Sequence, residues 1–235
     1  MKYLFFFLSA FSFHVFGLHA QNSKEQNPSS SVQNLYHNTV GYKESVYTGQ
    51  EYYKNYGKLT GHAFWQTDEF VNGNIGYAGN IYPTLPLKLD LLSNELITHG
   101  SNLGVQIKII REKIDSFSIG TVRFWYLTPG KNKMPDAFYE ILYDGKYTVL
   151  CKRNKIIKEV VSQSGVEKKI EEQNTYYIKE QNNFIEVKNR QTLYDFFKSK
   201  KNQVLDYMDK ENISYRKTPE DFIVLSIKYY EQISN

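Results

Sequence analysis

Six carboxylates spread over residues 68–144 are the side chains of this sequence best suited to acid–base chemistry. A glycosidase needs only two such groups, facing each other across a cleft about 5 to 10 Å wide. Two of these carboxylates have a structural explanation. Asp144 is expected in a turn with Gly145, and Asp136 in the loop after Pro135. We therefore rank a carboxylate-based glycan hydrolase last among the candidate functions. The six residues are Asp68, Glu69, Asp115, Asp136, Glu140 and Asp144.

The histidines and the single cysteine form no recognisable metal or nucleophile motif. Outside residues 1–20 the histidines are His37, His62 and His99, and none has a second metal-type ligand at helical spacing. Cys151 alternates with the apolar side chains before it, which is typical of a small buried residue in a strand. The patterns HExxH, CxxC, GxSxG, GxGxxG and the P-loop do not occur. We predict no catalytic residue, no cofactor and no metal.

Two basic clusters could meet anionic lipid headgroups or envelope polysaccharide. Acidic neighbours such as Glu159 and Glu171 dilute the first cluster, so we interpret both as solvated faces. The formal net charge of +4 is too small to indicate a nucleic acid partner. The clusters are Lys152, Arg153, Lys155 and Lys158, and further on Lys198, Lys200 and Lys201.

The stretch LPLKLDLLSNELIT, residues 85–98, places two charges between regularly spaced leucines. Side chains two apart on a strand share a face, so the alternate leucines line one face and Lys88 and Asp90 share the other. We predict that this second face is exposed to solvent. An exposed ion pair of this kind contributes at most about 1 kcal/mol.

An aromatic group in the Gly-punctuated sequence before residue 66 is the candidate contact site. Exposed rings there could stack on sugars or meet a protein partner. Packing at one end of a sheet would explain the same rings. The group contains Phe64 and the three predicted ligand or partner contacts, Tyr52, Tyr53 and Trp65.

The chain begins with the features of a secretory signal peptide. Lys2 precedes an apolar run of about 14 residues, which is shorter than the roughly 20 residues of a membrane helix. We predict cleavage after Ala20, with Gly17 as the other candidate. A disordered spacer is predicted over residues 21–34, which are polar and rich in serine. No later stretch is apolar enough to span a bilayer. The expected location is the periplasm or the outer envelope surface.

Residues 35–190 are predicted to form an antiparallel β domain. Twenty tyrosines and fifteen phenylalanines favour pleated sheets, and short apolar runs alternate with turn residues. The Asp-Gly pair in YDGKY, residues 143–147, is the strongest hairpin signal. We expect about ten to twelve strands in one meander. That number favours a curved sheet, a barrel or a sandwich over a flat sheet.

In residues 191–235 the spacing of apolar residues changes from that of a strand to that of a helix. These residues are predicted to form a helical pair packed on the sheet. Leu193, Phe196 and Phe197 have helical spacing, with an interruption expected near Ser199. The second helix begins at TPED, where Thr218 would be the N-cap of a capping box. The predicted class is therefore mainly β with some α.

Two stretches, NGNIGYAGNIYPTLPLKLDLLSNELI and RQTLYDFFKSKKNQVLDYMDKENISYRKTPEDFIVLSIKYYEQI, resemble uncharacterised exported proteins of Gram-negative bacteria of the Bacteroidota type. In those proteins a β meander rich in tyrosine and glycine precedes a lysine-rich helical tail. The resemblance implies an envelope setting and a β-rich body. No catalytic residue carries over from it.

These patterns lead us to expect a non-catalytic binding or scaffolding protein of the envelope or periplasm. Its partner would be an envelope protein, a glycan or a lipid. The alternative is a periplasmic carrier that holds a lipid or other apolar ligand in a curved half-barrel. Such a carrier needs an apolar cavity beneath residues 191–233 and no sequence motif.

Overall fold

A ten-stranded antiparallel sheet forms the body of the protein. The computed structural model describes residues 45–53, 56–100, 104–128, 134–162 and 165–234. The signal peptide and spacer predicted for residues 1–34 lie outside these ranges. The strands are β1 (Val71–Tyr77), β2 (Asn80–Asp90), β3 (Glu95–His99), β4 (Gln106–Lys108), β5 (Ile114–Ile119), β6 (Val122–Leu127), β7 (Ala137–Asp144), β8 (Tyr147–Lys152), β9 (Lys155–Ser162), β10 (Gly165–Glu172), β11 (Thr175–Glu180) and β12 (Asn183–Glu186).

The order of strands in the sheet is β12-β11-β8-β7-β6-β5-β1-β2-β3-β4. Each neighbouring pair is antiparallel, and short turns join most of them, as the closely spaced turn residues predicted. The sheet is curved and open, with β12 and β4 as its outermost strands. The predicted fold class is confirmed, and of the three shapes considered it is the curved sheet.

Local turn chemistry explains where the hairpins form. Ala78 and Gly79 connect β1 to β2, and both have positive φ, the backbone conformation that two-residue hairpin turns require. The predicted YDGKY hairpin joins β7 to β8.

One face of the sheet is packed with aromatic and branched side chains. Phe117 stacks on Phe124 with a centroid distance of 4.7 Å, and Phe138 meets Phe117 edge-on. The alternate leucines of β2 lie in the same buried cluster, as their spacing predicted.

The hairpin formed by β9 and β10 leaves the main sheet. We expected these strands to continue the meander, but β8 pairs directly with β11, and β9 pairs only with β10. The hairpin is therefore an insertion between two adjacent strands of the main sheet. This part of the predicted topology was wrong.

Three α-helices follow the last strand: α1 (Arg190–Phe197), α2 (Lys201–Lys210) and α3 (Pro219–Ile233). A 3-10 turn over Lys198–Lys200 joins α1 to α2, at the predicted interruption. Asn189 caps α1 by accepting a hydrogen bond from the Thr192 N–H. Thr218 precedes α3 as predicted, but its side chain makes no capping hydrogen bond, so the predicted capping box is wrong.

The helices cover one part of the sheet. Their buried side chains, among them Phe197, Met208 and Ile227, pack against Tyr147 and Val149 of β8 and Ile178 of β11. Residues 191–233 therefore form a second core on the face of these strands.

Candidate functional site

Lys88 is buried, which overturns the expectation that it faces solvent. Its ammonium nitrogen lies 4.2 Å from the ring centroid of Phe64 and 4.6 Å from that of Phe70. It also donates to the side chain and the backbone carbonyl of Asp68, each at 3.1 Å. The chain that precedes β1 folds over the face we expected to be wet, and the lysine is held between two rings.

Asp90 is completely buried, so the same expectation is wrong for this residue. Its Oδ2 accepts hydrogen bonds from the hydroxyls of Tyr52, at 2.7 Å, and Tyr56, at 2.5 Å. Its Oδ1 accepts from the backbone N–H groups of Leu92 and Ser93. Four donors compensate for the loss of water around the carboxylate. Burial and the bond to Asp90 raise the pKa of Tyr56 to about 12.

Lys155, at the base of the β9–β10 hairpin, is also buried. Its ammonium group donates to the backbone carbonyls of Phe64, at 2.6 Å, and His62, at 3.1 Å, and lies 3.7 Å from Glu172. Burial lowers the pKa of this lysine, and Glu172 partly offsets that effect. The side chain ties the hairpin to the segment that covers β2.

Arg153 joins the sheet to the first turn of α3. It donates to Glu140 at 2.7 Å and makes two hydrogen bonds to Glu220, at 2.6 and 3.0 Å. Trp65 donates to the same oxygen of Glu140, at 3.3 Å. Burial opposes the charge of Arg153, but the bonds to both carboxylates outweigh it and raise its pKa. Sequence reasoning missed this network, because its members come from three distant segments.

The structure separates the three predicted contact residues. Tyr52 and Trp65 are buried in the networks around Asp90 and Glu140. Packing against the sheet therefore explains these two rings better than a role as exposed contacts. Tyr53 is 72% exposed and bonds only to the neighbouring Glu51 in the described part of the chain. Its role as a ligand or partner contact stays a prediction.

The candidate carboxylates mostly face cations. Glu140 converges with Glu220, but the guanidinium of Arg153 bridges the two groups. The other ion pairs join Asp68 to Lys88, Asp136 to Arg111 and Asp144 to Arg123.

Cys151 has no exposed surface, and burial raises the pKa of its thiol. The predicted small buried side chain is therefore confirmed. Of the two histidines in the described ranges, His62 stacks on Phe64 and His99 lies against Phe70. Within those ranges, no group of three or more metal-type ligands comes together.

The basic clusters only partly form solvated faces. Arg153 and Lys155 belong to the buried networks above, so the prediction is wrong for these two. Lys198 is exposed, in agreement with the prediction.

The β9–β10 hairpin carries most of the large apolar side chains that are exposed in the described ranges. Of the six large apolar side chains that are exposed in the described ranges, four belong to it. Val161 is 81% exposed and lies directly opposite Val166, which is 62% exposed. The other two are Ile157 and Val160. The sequence carried a signal for these apolar groups. The doublets Ile156-Ile157 and Val160-Val161 put apolar side chains on both faces of β9.

The charged side chains of the hairpin pair with one another. Lys158 lies 2.5 Å from Glu171, and Lys168 lies 3.9 Å from Glu159. Lys169 is 4.0 Å from Glu167 on the same strand. The hairpin therefore presents a nearly neutral surface from which the valines project.

The interface beneath the helices differs from a carrier cavity. Buried apolar side chains of the helices and of β8 and β11 occupy it. An opening of about 320 Å³ beside α1 is lined by Glu180, Asp195 and Lys198 together with Phe196 and Tyr230. In the described chain, every helix is too short or too polar to cross a bilayer.

No family model, no curated protein and no solved structure matches this chain.

Proposed function

We propose that this protein is a non-catalytic binding or scaffolding module of the bacterial envelope or periplasm, and that it contacts a protein partner through the β9–β10 hairpin. The observation that carries the proposal is the pair of exposed valines, Val161 and Val166, at the far end of that hairpin. Export is inferred from residues 1–20 and from the resemblance described above.

Exposed apolar groups favour association because burying them releases water. Full burial of a valine side chain contributes roughly 1.5 to 3 kcal/mol. Clustered exposed apolar side chains with a polar surround are typical of interaction sites. On this hairpin the lysines and glutamates pair mainly with each other, which leaves the valines as the groups that gain most from a partner.

Contacts with the rest of the protein hold the β9–β10 hairpin in place. Lys155 anchors its base, and Thr60 forms an isolated parallel bridge with β10 through hydrogen bonds with Lys168 and Ile170. A surface that is already ordered loses less conformational entropy on binding. The contacts of Lys155 and Thr60 therefore support a role of the hairpin in recognition.

The carrier alternative has less support, because the core beneath the helices is occupied and the opening beside them has charged walls. The glycan hydrolase has less support still, since Arg153 bridges the two carboxylates that converge. Tyr53 is retained as a further contact candidate.

Site-specific photo-crosslinking in cells that export the protein tests the proposal. A photoreactive benzoylphenylalanine replaces Val161 in one variant and Ile81 in a matched control. Ile81 is 73% exposed and follows the turn of a different hairpin, β1–β2. We expect a discrete heavier species, containing a second protein, from position 161 and not from position 81.

The crosslink should weaken when Val166→Thr is added and should persist when Ile81→Thr is added. Equal crosslinking from both positions, or none from position 161, would contradict the proposal. Native mass spectrometry of the protein isolated from its own envelope provides a second readout. A bound lipid would favour the carrier, and a bound glycan would favour a sugar-binding role for Tyr53.

A further inference from the structure

The outer edge of β9, on the side away from β10, is a long strand edge without a partner strand among the described residues. Within the described ranges, this edge makes a backbone hydrogen bond at its base, where the Lys155 N–H donates to the Leu91 carbonyl at 3.4 Å. Other edges are short or covered: β12 has four residues, and residues 50–52 pair with β4. Exposed edges of this length are templates for another strand.

Hydrogen bonds on the opposite edge of the hairpin show which backbone groups of β9 point outward. The Thr60 N–H donates to the Lys168 carbonyl, and the Ile170 N–H donates to the Thr60 carbonyl. Lys168 and Ile170 therefore turn their backbone groups away from β9. In an antiparallel pair the residues opposite them, Glu159 and Ile157, must also point outward, on the other side.

Backbone groups of every second residue in a strand point to the same edge, so the outward direction can be followed along β9. Lys155 lies two residues before Ile157, and its N–H does point outward, to Leu91. Val161 lies two residues after Glu159 and completes the series. Ile157, Glu159 and Val161 thus offer three N–H donors and three carbonyl acceptors in the spacing of an extended chain.

We propose that β9 binds an extended segment of a partner protein by antiparallel strand addition, and that this segment carries a lysine or arginine between two apolar residues at alternate positions. The inference rests on the proposed function and specifies the partner. Residues that face each other in an antiparallel pair have side chains on the same face. The apolar residues would lie beside Ile157 and Val161, and the basic residue beside Glu159.

In the two registers that overlap the most of β9, like charges disfavour a second copy of this chain as the occupant. A two-fold pairing centred on Glu159 would set the two Glu159 carboxylates opposite each other. Moving the centre to residue 158 sets Glu159 against Ile157 and Lys158 against its own copy. Like charges directly opposite one another destabilise a pair of strands.

At two other strand edges the same chain makes isolated bridges through backbone hydrogen bonds. Thr60 adds to β10, and residues 50–52 add to β4 through the Tyr52 N–H to the Gln106 carbonyl and the Lys108 N–H to the Gln50 carbonyl. Backbone bonds would supply part of the affinity, and the side chains at alternate positions would supply specificity.

Binding of synthetic peptides to the full exported protein tests the proposal. The first probe is a nine-residue capped peptide of alternating threonine and valine with lysine in place of the central valine. A second probe has glutamate at the centre, and a third keeps the lysine but is N-methylated at alternate amides. We expect the lysine peptide to bind roughly three- to tenfold more tightly than the glutamate peptide, and the methylated peptide not to bind.

Variants of the protein provide the matched controls. E159K/K168E exchanges the two charges and keeps their cross-strand pair, so it should reverse the preference between the lysine and glutamate peptides. Val161→Pro removes one outward N–H and should abolish binding, while the ladder to β10 stays intact because that N–H points away from it. Circular dichroism checks that both variants remain folded.

Binding that survives N-methylation, an unchanged preference in E159K/K168E, or no binding by any peptide would overturn strand addition. A photo-crosslink from position 161 to a second copy of this chain would overturn it too. If the peptides fail while position 161 still crosslinks to another protein, the proposed function stands and only its strand-addition form is lost. If both fail, the hairpin is not the contact site.

Discussion

The guanidinium of Arg153 makes two hydrogen bonds, 2.6 and 3.0 Å long, to the carboxylate of Glu220, 67 residues later in the chain. Glu220 lies in the first turn of α3, where a negative charge also interacts favourably with the helix dipole. This contact fastens the last helix to the sheet.

Glu220→Gln should lower the free energy of unfolding by about 1 to 3 kcal/mol, because Arg153 is mostly buried and keeps only Glu140 as a charged partner. Urea unfolding measures the change. Asp221→Asn is the matched control, since it removes the same charge from the same helical turn at an exposed position. Equal effects of the two substitutions would assign the contribution to the helix dipole and not to Arg153.

Lys88→Ala should destabilise the protein by about 2 kcal/mol or more, because it leaves a gap between Phe64 and Phe70. Lys88→Met keeps the length of the side chain but loses the charge and the two hydrogen bonds to Asp68, so its cost should be smaller, about 1 kcal/mol. Thermal unfolding of both variants distinguishes packing from charge. Lys113→Ala, at an exposed lysine 6.0 Å from the ring of Tyr77, should have little effect. A larger loss in the methionine variant than in the alanine variant would contradict the packing explanation.

Tyr56 should make stability fall in alkaline solution. The folded protein keeps the proton of Tyr56 up to about pH 12, whereas the unfolded chain releases it near pH 10. The stabilisation from this shift is complete below pH 10 and is lost as the pH rises through 12. The free energy of unfolding of Tyr56→Phe should therefore decline less steeply than that of the parent over this interval, by about 1 kcal/mol in total. Parallel curves would show that Tyr56 does not contribute.

Cys151 should react with a thiol reagent only when the protein unfolds, because its sulfur is buried and its thiol pKa is raised. Ellman's reagent in buffer and in denaturant measures this. A Cys151→Ala protein that also carries Val161→Cys is the positive control, since position 161 is exposed and should react within the mixing time. Rapid reaction of Cys151 in the folded protein would show that the packing around β8 opens to solvent.

Turn residues and alternation were sufficient to predict the fold class. The Asp-Gly pair after Tyr143 produces a hairpin because its backbone preferences are local, and the alternate leucines of β2 are buried because a strand has a fixed period. The same local signals placed the break between the first two helices near Ser199.

The candidate site was less accessible to sequence reasoning. The valine doublet of β9 shows that both faces carry apolar groups, but it does not distinguish a strand buried on both sides from an exposed hairpin. For Lys88 and Asp90 the error was to predict exposure for polar side chains that are buried. Their polarity predicted solvent, whereas distant rings and hydroxyls cover them.

The sequence by itself determined the antiparallel class, the positions of most strands and helices, and the set of side chains that share each face of a strand. Only the tertiary structure decided what covers each face, such as the rings around Lys88 and the donors around Asp90. It also decided that β9 has no partner strand on its outer edge among the described residues. The reason is physical. Periodicity and turn preferences act between neighbours in the chain, whereas burial depends on contacts between segments such as Tyr52 and Asp90, which are 38 residues apart.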